Sequence, residues 1–474
     1  MVELCQSLEV ILPGNDRKSA NFKPELDMIN KQEIQMPIPI YHYQSDSYES
    51  DVSRLLDKLQ SGSLVSSDTA GQLDVPSIVA DIISEVSTSG DAAAARLTSK
   101  LDNAQITPET IRVEPATLRR AHDEADRDFL DLVRRVSDNI RQYQQAIIHK
   151  DPPPLRRGGR SLGVRYTPID RVGVYVPGGK GLYPSTLLMT VVPAQVAGVG
   201  QIAITSPPTG GEISPMVLAL AEELGISEVY RLGGAVGISA LACGTETIKP
   251  VSKIVGPGSA FVAESKRQLL GRVGIDSTAG PSEVLIVADD SARPDWLAAD
   301  LLAQAEHDPG SAILVTTSQS LANAVSEQLK KQLPLLQRAQ AAGICLEKYG
   351  AIIVTSDIDR ACEIANDFAT EHLQLITSDN QAIADKITNA GAIFMGPFSP
   401  VPVGDYYAGP SHVLPTGGTA KFFSPMSCND FLKASSIISY DGPSLAEDAE
   451  DIINFASREG FSAHAQAVNS RKEG

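Results

Sequence analysis

The sequence predicts an α/β protein with two doubly wound, Rossmann-like parallel-sheet lobes, a helical N-terminal arm and a helical C-terminal tail. Short apolar, β-branched segments such as residues 171–176 are each followed by a helical pattern. Continuous apolar strands that alternate with helices are typical of parallel sheets covered on both faces. The alternation restarts near residue 280. A chain of 474 residues is also too long for one core, which favours two lobes.

The boundaries follow changes in pattern along the chain. Residues 1–60 are predicted to form an extension and an arm, because their first part is mixed and aperiodic. Residues 61–170 and 282–426 are assigned to the first lobe, and residues 171–281 to the second. Apolar residues recur at three- and four-residue spacing from about Ser77 to Gln145, up to the proline-rich "KDPPPLRRGGR", which predicts long helices. Residues 427–474 are predicted to be a separate helical tail.

The composition excludes several classes of protein. A net charge of −18 disfavours binding to nucleic acid or to an anionic membrane surface. No apolar run approaches the roughly 18 residues of a membrane helix, and the N-terminal residues do not resemble a secretory signal. The five cysteines are scattered without a CxxC pair, which fits a reducing compartment. The sequence therefore predicts a cytoplasmic protein.

Three glycine-rich loops follow predicted strands of the second lobe. They are "VPGGKG" (176–181), "GGAVG" (233–237) and "GPGSA" (256–260). Glycine lets the backbone approach a phosphate, and the following helix offers free N–H groups. None of the loops matches GxGxxG or the P-loop pattern, so tight strand-to-helix turns explain them equally well.

Four of the seven histidines lie after residue 300, each beside acidic, amide or Gly-Pro positions. Gln304 and His307 are three residues apart and share one face of a predicted helix. Glu371 and His372 are adjacent at a predicted helix end, where an acid and an imidazole can supply two proton-transfer groups. Each pair taken alone also fits an ordinary helix end.

The remaining candidates lie further along the chain. Asp405 and His412 occur in a long Gly/Pro-rich loop, and loops of that kind are often functional. Glu459 and His464 lie in the tail, five residues apart. Carboxylate, amide and imidazole donors together suit a zinc site with mixed N and O ligands. A ligand from the tail requires the tail to fold back or to reach a second subunit.

The chain resembles the histidinol dehydrogenase family from about residue 41 to residue 469. This is the zinc- and NAD-dependent family that catalyses the last steps of histidine synthesis. The stretches that carry the resemblance are "RVGVYVPGGKGLYPSTLLMTVVPAQVAGV", "AGPSEVLIVADD", "DLLAQAEHDP", "ATEHLQL", "GDYYAGPSHVLPTGG" and "REGFSAHA".

The resemblance implies a role for each matching position. The zinc ligands would be Gln304, His307, Asp405 and His464. The acid–base pair would be Glu371 and His372. The substrate, a small amino alcohol, would contact Ser282, Gln304, His307, His372, Asp405, Glu459 and His464. Tyr175, Val236 and Ser259 would line the NAD pocket. The resemblance also implies a homodimer in which each C-terminal tail crosses over and completes the partner's site. It further implies that the first lobe holds the metal and catalytic residues.

The sequence departs from the family's pattern at three positions. Val236 and Ser259 stand where the family usually has Gln and Asn, and Thr370 stands where Pro often precedes the Glu-His pair. The leading interpretation is oxidation of L-histidinol to L-histidine through L-histidinaldehyde with two NAD. Three alternatives stay open: a dehydrogenase of the same fold acting on another primary alcohol, a zinc hydrolase without nicotinamide, and a non-catalytic metal-binding scaffold.

Overall fold

The computed structural model describes residues 38–60, 73–178, 184–278, 280–307 and 310–472. The strands are β1 (Ile40–His42), β2 (Leu155–Arg157), β3 (Arg160–Pro168), β4 (Arg171–Tyr175), β5 (Gln201–Thr205), β6 (Glu228–Tyr230), β7 (Lys253–Val255), β8 (Gly274–Ile275), β9 (Ser282–Ala288), β10 (Gly310–Thr316), β11 (Gly350–Val354), β12 (His372–Ile376), β13 (Ala392–Met395) and β14 (Leu432–Ser439). Most of the predicted N-terminal extension, residues 1–37, lies outside the described residues.

Helices cover the sheets and form the arm and the tail. They are α1 (Tyr48–Gln60), α2 (Val75–Leu101), α3 (Pro115–Glu124), α4 (Arg127–Ile147), α5 (Pro184–Ala197), α6 (Pro215–Glu223), α7 (Gly234–Cys243), α8 (Ala260–Leu269), α9 (Pro294–Ala305), α10 (Gln319–Gln332), α11 (Ala339–Tyr349), α12 (Ile358–Phe368), α13 (Asn380–Ala384), α14 (Val401–Tyr406), α15 (Gly442–Arg458) and α16 (Ser462–Asn469). No helix in the described ranges is long and apolar enough to cross a bilayer.

Two parallel sheets confirm the predicted fold class. Sheet A has the strand order β1-β11-β10-β9-β12-β13, and sheet B has the order β6-β5-β4-β7-β8. Every pairing within these two sheets is parallel. All residues of β4, β10, β11 and β12 are buried, as continuous apolar strands covered on both faces require.

Helices α2, α3 and α4, in the segment 61–170, pack with sheet B, whereas α1 of the predicted arm packs with sheet A. Helix α4 begins after Asp126, whose carboxylate accepts hydrogen bonds from the backbone N–H groups of Asp128 and Phe129. Its apolar stripe, which includes Leu130 and Ile140, is buried in the same cluster as β4 and α5. Fully burying each such side chain contributes about 1.5–3 kcal/mol to folding stability, so this stripe holds α4 against sheet B.

A third, antiparallel sheet was not predicted from the sequence. Its order is β14-β3-β2, and β14 runs from Leu432 opposite Pro168 to Ser439 opposite Ser161. The sequence interpretation placed residues 432–439 in the helical tail, and helices α15 and α16 follow them. Strand β14 carries no continuous apolar run because seven of its eight residues are exposed. The signal that identified the buried parallel strands is therefore missing here.

Candidate active site

Several of the residues predicted to take part in catalysis lie at one edge of sheet A, where its strands begin. Ser282 is the first residue of β9, His372 is the first residue of β12, and α9 ends just before β10. These three strands are neighbours in the parallel sheet, so their first residues lie side by side. We call this the amino edge of sheet A. Ligands of open parallel sheets usually bind at the opposite, carboxyl edge.

Glu371 and His372 form a buried pair at this edge. Helix α12 ends at Ala369, whose φ of 48° turns the chain from the helix into β12. The Oε2 atom of Glu371 accepts hydrogen bonds from Ser282 Oγ at 2.5 Å and from the Glu283 backbone N–H at 2.9 Å. The Nδ1 atom of His372 lies 3.5 Å from the same carboxylate oxygen. The pair is therefore held in place by the first two residues of β9.

Burial and mutual charge set the protonation of this pair. Burial raises the pKa of Glu371 above its ordinary value. Burial alone would lower the pKa of His372, but the carboxylates of Glu371 and Asp405 outweigh it and raise that pKa to about 9. Two ionisable groups that interact this closely titrate together, so their apparent pKa values belong to the pair. The pair can therefore hold and deliver a proton near neutral pH.

The ring of His372 presents one nitrogen for chemistry. Its Nδ1 atom lies 3.0 Å from the carbonyl oxygen of Glu283, and a carbonyl can only accept, so Nδ1 carries the hydrogen. In the neutral ring Nε2 is then the acceptor. This Nε2 atom is buried, has no hydrogen-bond partner among the described residues, and lies 3.4 Å from Asp405 Oδ1.

The predicted metal ligands Gln304, His307 and Asp405 lie near this pair. Gln304 is buried in the last turn of α9, and its Nε2 atom has no hydrogen-bond partner within the described ranges. Desolvation by the surrounding protein atoms lowers the pKa of His307, and the nearby charge of Asp405 opposes this shift only in part. Asp405 lies in α14, just before the loop formed by residues 407–418. Side chains from two elements thus approach one region.

This donor set fits a zinc ion with mixed N and O ligands, because it combines the imidazole of His307, the carboxylate of Asp405 and the side-chain amide oxygen of Gln304. Over the described part of the chain, no group of three or more His, Cys, Asp or Glu side chains could hold a metal by itself. Gln304, His307 and Asp405 supply three donors at most. A four-coordinate site therefore needs one more donor.

Glu459 and His464 lie in the C-terminal tail of the chain. Glu459 is the C-cap residue that follows α15, and His464 in α16 stacks on Phe461, which precedes that helix, with ring centroids 5.0 Å apart. No hydrogen bond or ion pair in the described structure joins either residue to the rest of the predicted site. Both are exposed. The structure of one chain does not bring these two predicted residues together with the others.

The three predicted cofactor positions lie at the carboxyl ends of strands in sheet B. Tyr175 ends β4, and its hydroxyl accepts a hydrogen bond from Gly234 N at 3.1 Å. A side chain at Gly256, where φ is +110°, would overlap the Tyr175 carbonyl, so the two loops touch. Val236 is only 1% exposed and is part of an apolar cluster, whereas Ser259 is exposed at the start of α8.

Two residues at the amino edge have contacts that the sequence did not assign to the site. His412 places its Nδ1 atom 3.1 Å from the Asp405 carbonyl oxygen. Glu283 is buried between the acid–base pair and the 407–418 loop. A charged residue inside the otherwise apolar segment "SEVLIVA" was the available signal for Glu283.

A cleft of about 240 Å³ opens beside Asp405 and His412. Its apolar wall includes Phe394, Val403 and Leu414. The ring of Phe394 lies 5.9 Å from the ring of His372, centroid to centroid, so the cleft lies close to the acid–base pair. A small organic molecule with an apolar or aromatic part fits such a wall.

Two parallel sheets with a buried carboxylate–imidazole pair beside metal-type donors define a two-lobed α/β enzyme. The chain belongs to the histidinol dehydrogenase family, whose model matches residues 66–472. This confirms the resemblance inferred from the sequence. The histidinol dehydrogenase of Rhodopirellula baltica is 47% identical over 397 residues, covering 84% of this chain and 86% of that protein. That of Bacillus subtilis is 45% identical over 412 residues, covering 86% and 96%.

A solved structure shows the same fold. The crystal structure of histidinol dehydrogenase from Elizabethkingia anophelis is 31% identical to this chain and superposes with a TM-score of 0.84. The match covers 92% of this chain and 98% of that one. The agreement extends over both sheets and identifies the chain as an enzyme of this family.

Proposed function

We propose that the chain oxidises L-histidinol to L-histidine through L-histidinaldehyde, with two NAD molecules and one zinc ion per subunit. Membership of the histidinol dehydrogenase family supports histidinol oxidation in histidine biosynthesis. The single observation that carries the mechanism is the buried Glu371–His372 pair, which Ser282 and the Glu283 backbone hold at the amino edge.

Residues of this chain would hold the zinc ion and the substrate. Gln304, His307 and Asp405 would bind zinc, together with His464 of the partner subunit. The ion would supply a fixed positive centre that orients the imidazole and amine of the substrate. Ser282 and the partner's Glu459 would hold the substrate's polar groups. The apolar wall beside Phe394 would take part of its carbon skeleton.

His372 and Glu371 divide the proton transfers of the two oxidations. NAD, when bound, would supply the hydride acceptor for each oxidation. In the first, the substrate hydroxyl would lose its proton to Nε2 of the neutral His372 ring, whose Nδ1 hydrogen is held by the Glu283 carbonyl oxygen. In the second, Glu371 removes a proton from the water that adds to the aldehyde, and the resulting hydrate is oxidised to the acid. Such transfers typically contribute about 10²–10⁴-fold each. Holding the aldehyde in the cleft between the steps prevents its loss to water.

The cofactor would lie against the carboxyl ends of β4, β6 and β7, near Tyr175, Val236 and Ser259. The adjacent loops support this placement, because free N–H groups at the starts of α7 and α8 can meet a phosphate. Residues 171–281 would then be the nucleotide-binding lobe. Residues 282–426 would form the lobe with the metal and catalytic residues, and the helices of residues 61–170, which pack with sheet B, would support the nucleotide-binding lobe.

A homodimer would complete each site, with residues 427–474 reaching the partner. The tail supports this proposal because it exposes large apolar side chains, including Ile438 at 72% and Phe455 at 68%. Exposed apolar patches of this kind often mark protein–protein contacts. We place the enzyme in the cytoplasm, acting on a small molecule without nucleic acid or membrane partners.

One assay separates this proposal from the alternatives. Purified protein with zinc, L-histidinol and NAD is expected to produce NADH, followed by its absorbance, with two NADH formed per histidinol consumed. NADH formed only from other primary alcohols would support a sister dehydrogenase. No NADH from any alcohol, together with hydrolysis of an amide or ester substrate, would support the zinc hydrolase. Zinc binding without any turnover would leave the non-catalytic scaffold.

A further inference from the structure

Glu283 is a buried acid that the proposed mechanism does not use. It is the second residue of β9, the strand of sheet A that lies between β10 and β12. Its residue surface is only 5% exposed, and Ser311 faces it in the register of β10. A buried carboxyl is costly unless its surroundings compensate for lost water, so its contacts call for an explanation.

The main chain of Glu283 contacts both members of the acid–base pair. Its N–H donates to Glu371 Oε2 at 2.9 Å. Its carbonyl oxygen lies 3.0 Å from His372 Nδ1 and accepts the hydrogen of that nitrogen. One residue therefore fixes the position of the carboxylate and the tautomer of the imidazole.

The side chain of Glu283 reaches the 407–418 loop. Its Oε1 atom accepts a hydrogen bond from the Gly417 backbone N–H at 3.2 Å. The same loop carries His412, which contacts the carbonyl oxygen of Asp405. Next to His412 in the loop, Ser411 Oγ donates to the Met189 carbonyl of α5 at 3.2 Å. The carboxyl of Glu283 thus connects the acid–base pair to the loop beside Asp405.

The electrostatic environment suits a neutral carboxyl in this place. Burial and the charge of Glu371 raise the pKa of Glu283 to about 8. The ionisable groups that face it are Glu371 and His372 at the start of β12, while β10 presents Ser311 and the loop presents the Gly417 amide. At pH 7 the neutral side chain can hold the loop without adding a second negative charge beside Glu371.

We propose that Glu283 is a positioning residue that holds the Glu371–His372 pair and the 407–418 loop in one fixed arrangement. The inference rests on the proposed function, because it assigns the pair its catalytic role. Glu283 has no step of its own in the proposed mechanism; it acts through Glu371, His372 and the loop.

The test compares Glu283→Ala with Glu283→Gln in the full-length protein with zinc, L-histidinol and NAD. Gln keeps the oxygen that accepts from Gly417 and stays neutral at all pH values, whereas Ala removes the contact. Ser311→Ala is the matched control. It removes a buried hydroxyl at the facing position of β10 that donates to the Tyr349 carbonyl, away from the pair. Unfolding curves for all variants give the folded fraction, and kcat and KM are measured from pH 6 to pH 10.

Per folded molecule, Glu283→Ala is expected to lose about 10- to 100-fold in kcat, as a small misplacement of catalytic groups does. Glu283→Gln is expected to restore wild-type kcat at pH 7 and to lack the wild-type inflection near pH 8. Ser311→Ala is expected to change stability alone. Wild-type kcat in Glu283→Ala, or a Gln variant as slow as the Ala variant, would overturn the inference. A wild-type protein that forms no NADH would instead overturn the proposed function.

Discussion

Sheets A and B share one architecture but place their functional groups at opposite ends of their strands. In sheet A, Ser282 and His372 begin their strands, and the candidate chemistry lies at the amino edge. In sheet B, Tyr175 ends its strand, and the glycine-containing loops lie at the carboxyl edge. If the proposed sites are right, the usual preference of ligands for the carboxyl edge would hold for sheet B and fail for sheet A.

The two edges also differ in what they bury. The amino edge of sheet A buries groups that are costly to remove from water: Glu283, Gln304, Glu371, His372 and Gln374. The carboxyl edge of sheet B buries apolar side chains such as Val236, and its loops are rich in glycine. We infer that sheet A supplies chemistry through side chains and sheet B supplies binding through its backbone. Each prediction below tests one part of this division.

The largest effect is expected at the acid–base pair of sheet A. Glu371→Gln keeps the shape of the side chain but removes its ability to take a proton. We expect kcat for NADH formation to fall by about 10²–10⁴-fold, because a general base is lost. The matched control is Glu223→Gln, which alters the His122–Glu223 pair, 2.8 Å apart, in the helices beside sheet B. If both variants keep wild-type kcat, the division between the two sheets is wrong.

The next effect concerns the zinc site that we propose the two subunits share. His464→Ala is expected to lose bound zinc without unfolding, because His464 is exposed and contributes no core contact within its own chain. Metal analysis should give well under one zinc per subunit, and circular dichroism should match the wild type. His149→Ala, which changes another exposed histidine that packs on Tyr166, serves as the control. Full zinc occupancy in His464→Ala would show that the tail supplies no ligand.

The two parallel sheets could be predicted from sequence, because buried parallel strands leave continuous apolar runs such as residues 282–288. The Glu371–His372 pair was also identifiable, since adjacent acid and imidazole groups stand out in a chain with few histidines. The amino-edge location and the links of Glu283 to Gly417 could not be predicted. They depend on contacts between segments more than 130 residues apart along the chain. The exposed strand β14 left no apolar pattern to detect.

A smaller effect is expected on the free energy of unfolding, which tests whether the buried carboxyl of Glu283 at the amino edge is protonated. The pKa of Glu283 is raised from its ordinary value of 4.5 to about 8, so between these values the folded chain holds a proton that the unfolded chain releases. Wild-type stability therefore falls as pH rises through this window, by at most about 1.4 kcal/mol per pH unit for this group. Glu283→Gln lacks this loss. In urea unfolding, the free energy of unfolding of Glu283→Gln relative to the wild type should increase from pH 5 to pH 8.

The raised pKa of Glu371 changes stability with pH in the same direction in the wild type and in Glu283→Gln. Its contribution therefore largely cancels from the stability difference between them. A stability difference between Glu283→Gln and the wild type that stays constant from pH 5 to pH 8 would contradict a neutral carboxyl at position 283. It would also weaken the contrast between the two edges, because sheet A would then bury no protonated acid there.

The smallest effect is expected at sheet B, where the backbone is inferred to dominate binding. Ser259 is exposed at the start of α8, and its hydroxyl makes no capping hydrogen bond. Ser259→Asn adds an amide within reach of the proposed cofactor. One neutral hydrogen bond contributes about 0.5–1.5 kcal/mol, so the KM for NAD should fall by roughly 2- to 10-fold with kcat unchanged.

Val236→Gln is the informative companion, because the same kind of amide would enter an apolar cluster from a position only 1% exposed. Leaving that amide unpaired costs about 1–3 kcal/mol, so this variant should lose stability to urea. If Val236→Gln instead leaves stability unchanged and lowers the KM for NAD, the introduced amide reaches the cofactor. Sheet B would then bind through side chains, as sheet A does. An unchanged KM in Ser259→Asn would place the nicotinamide cofactor away from the start of α8.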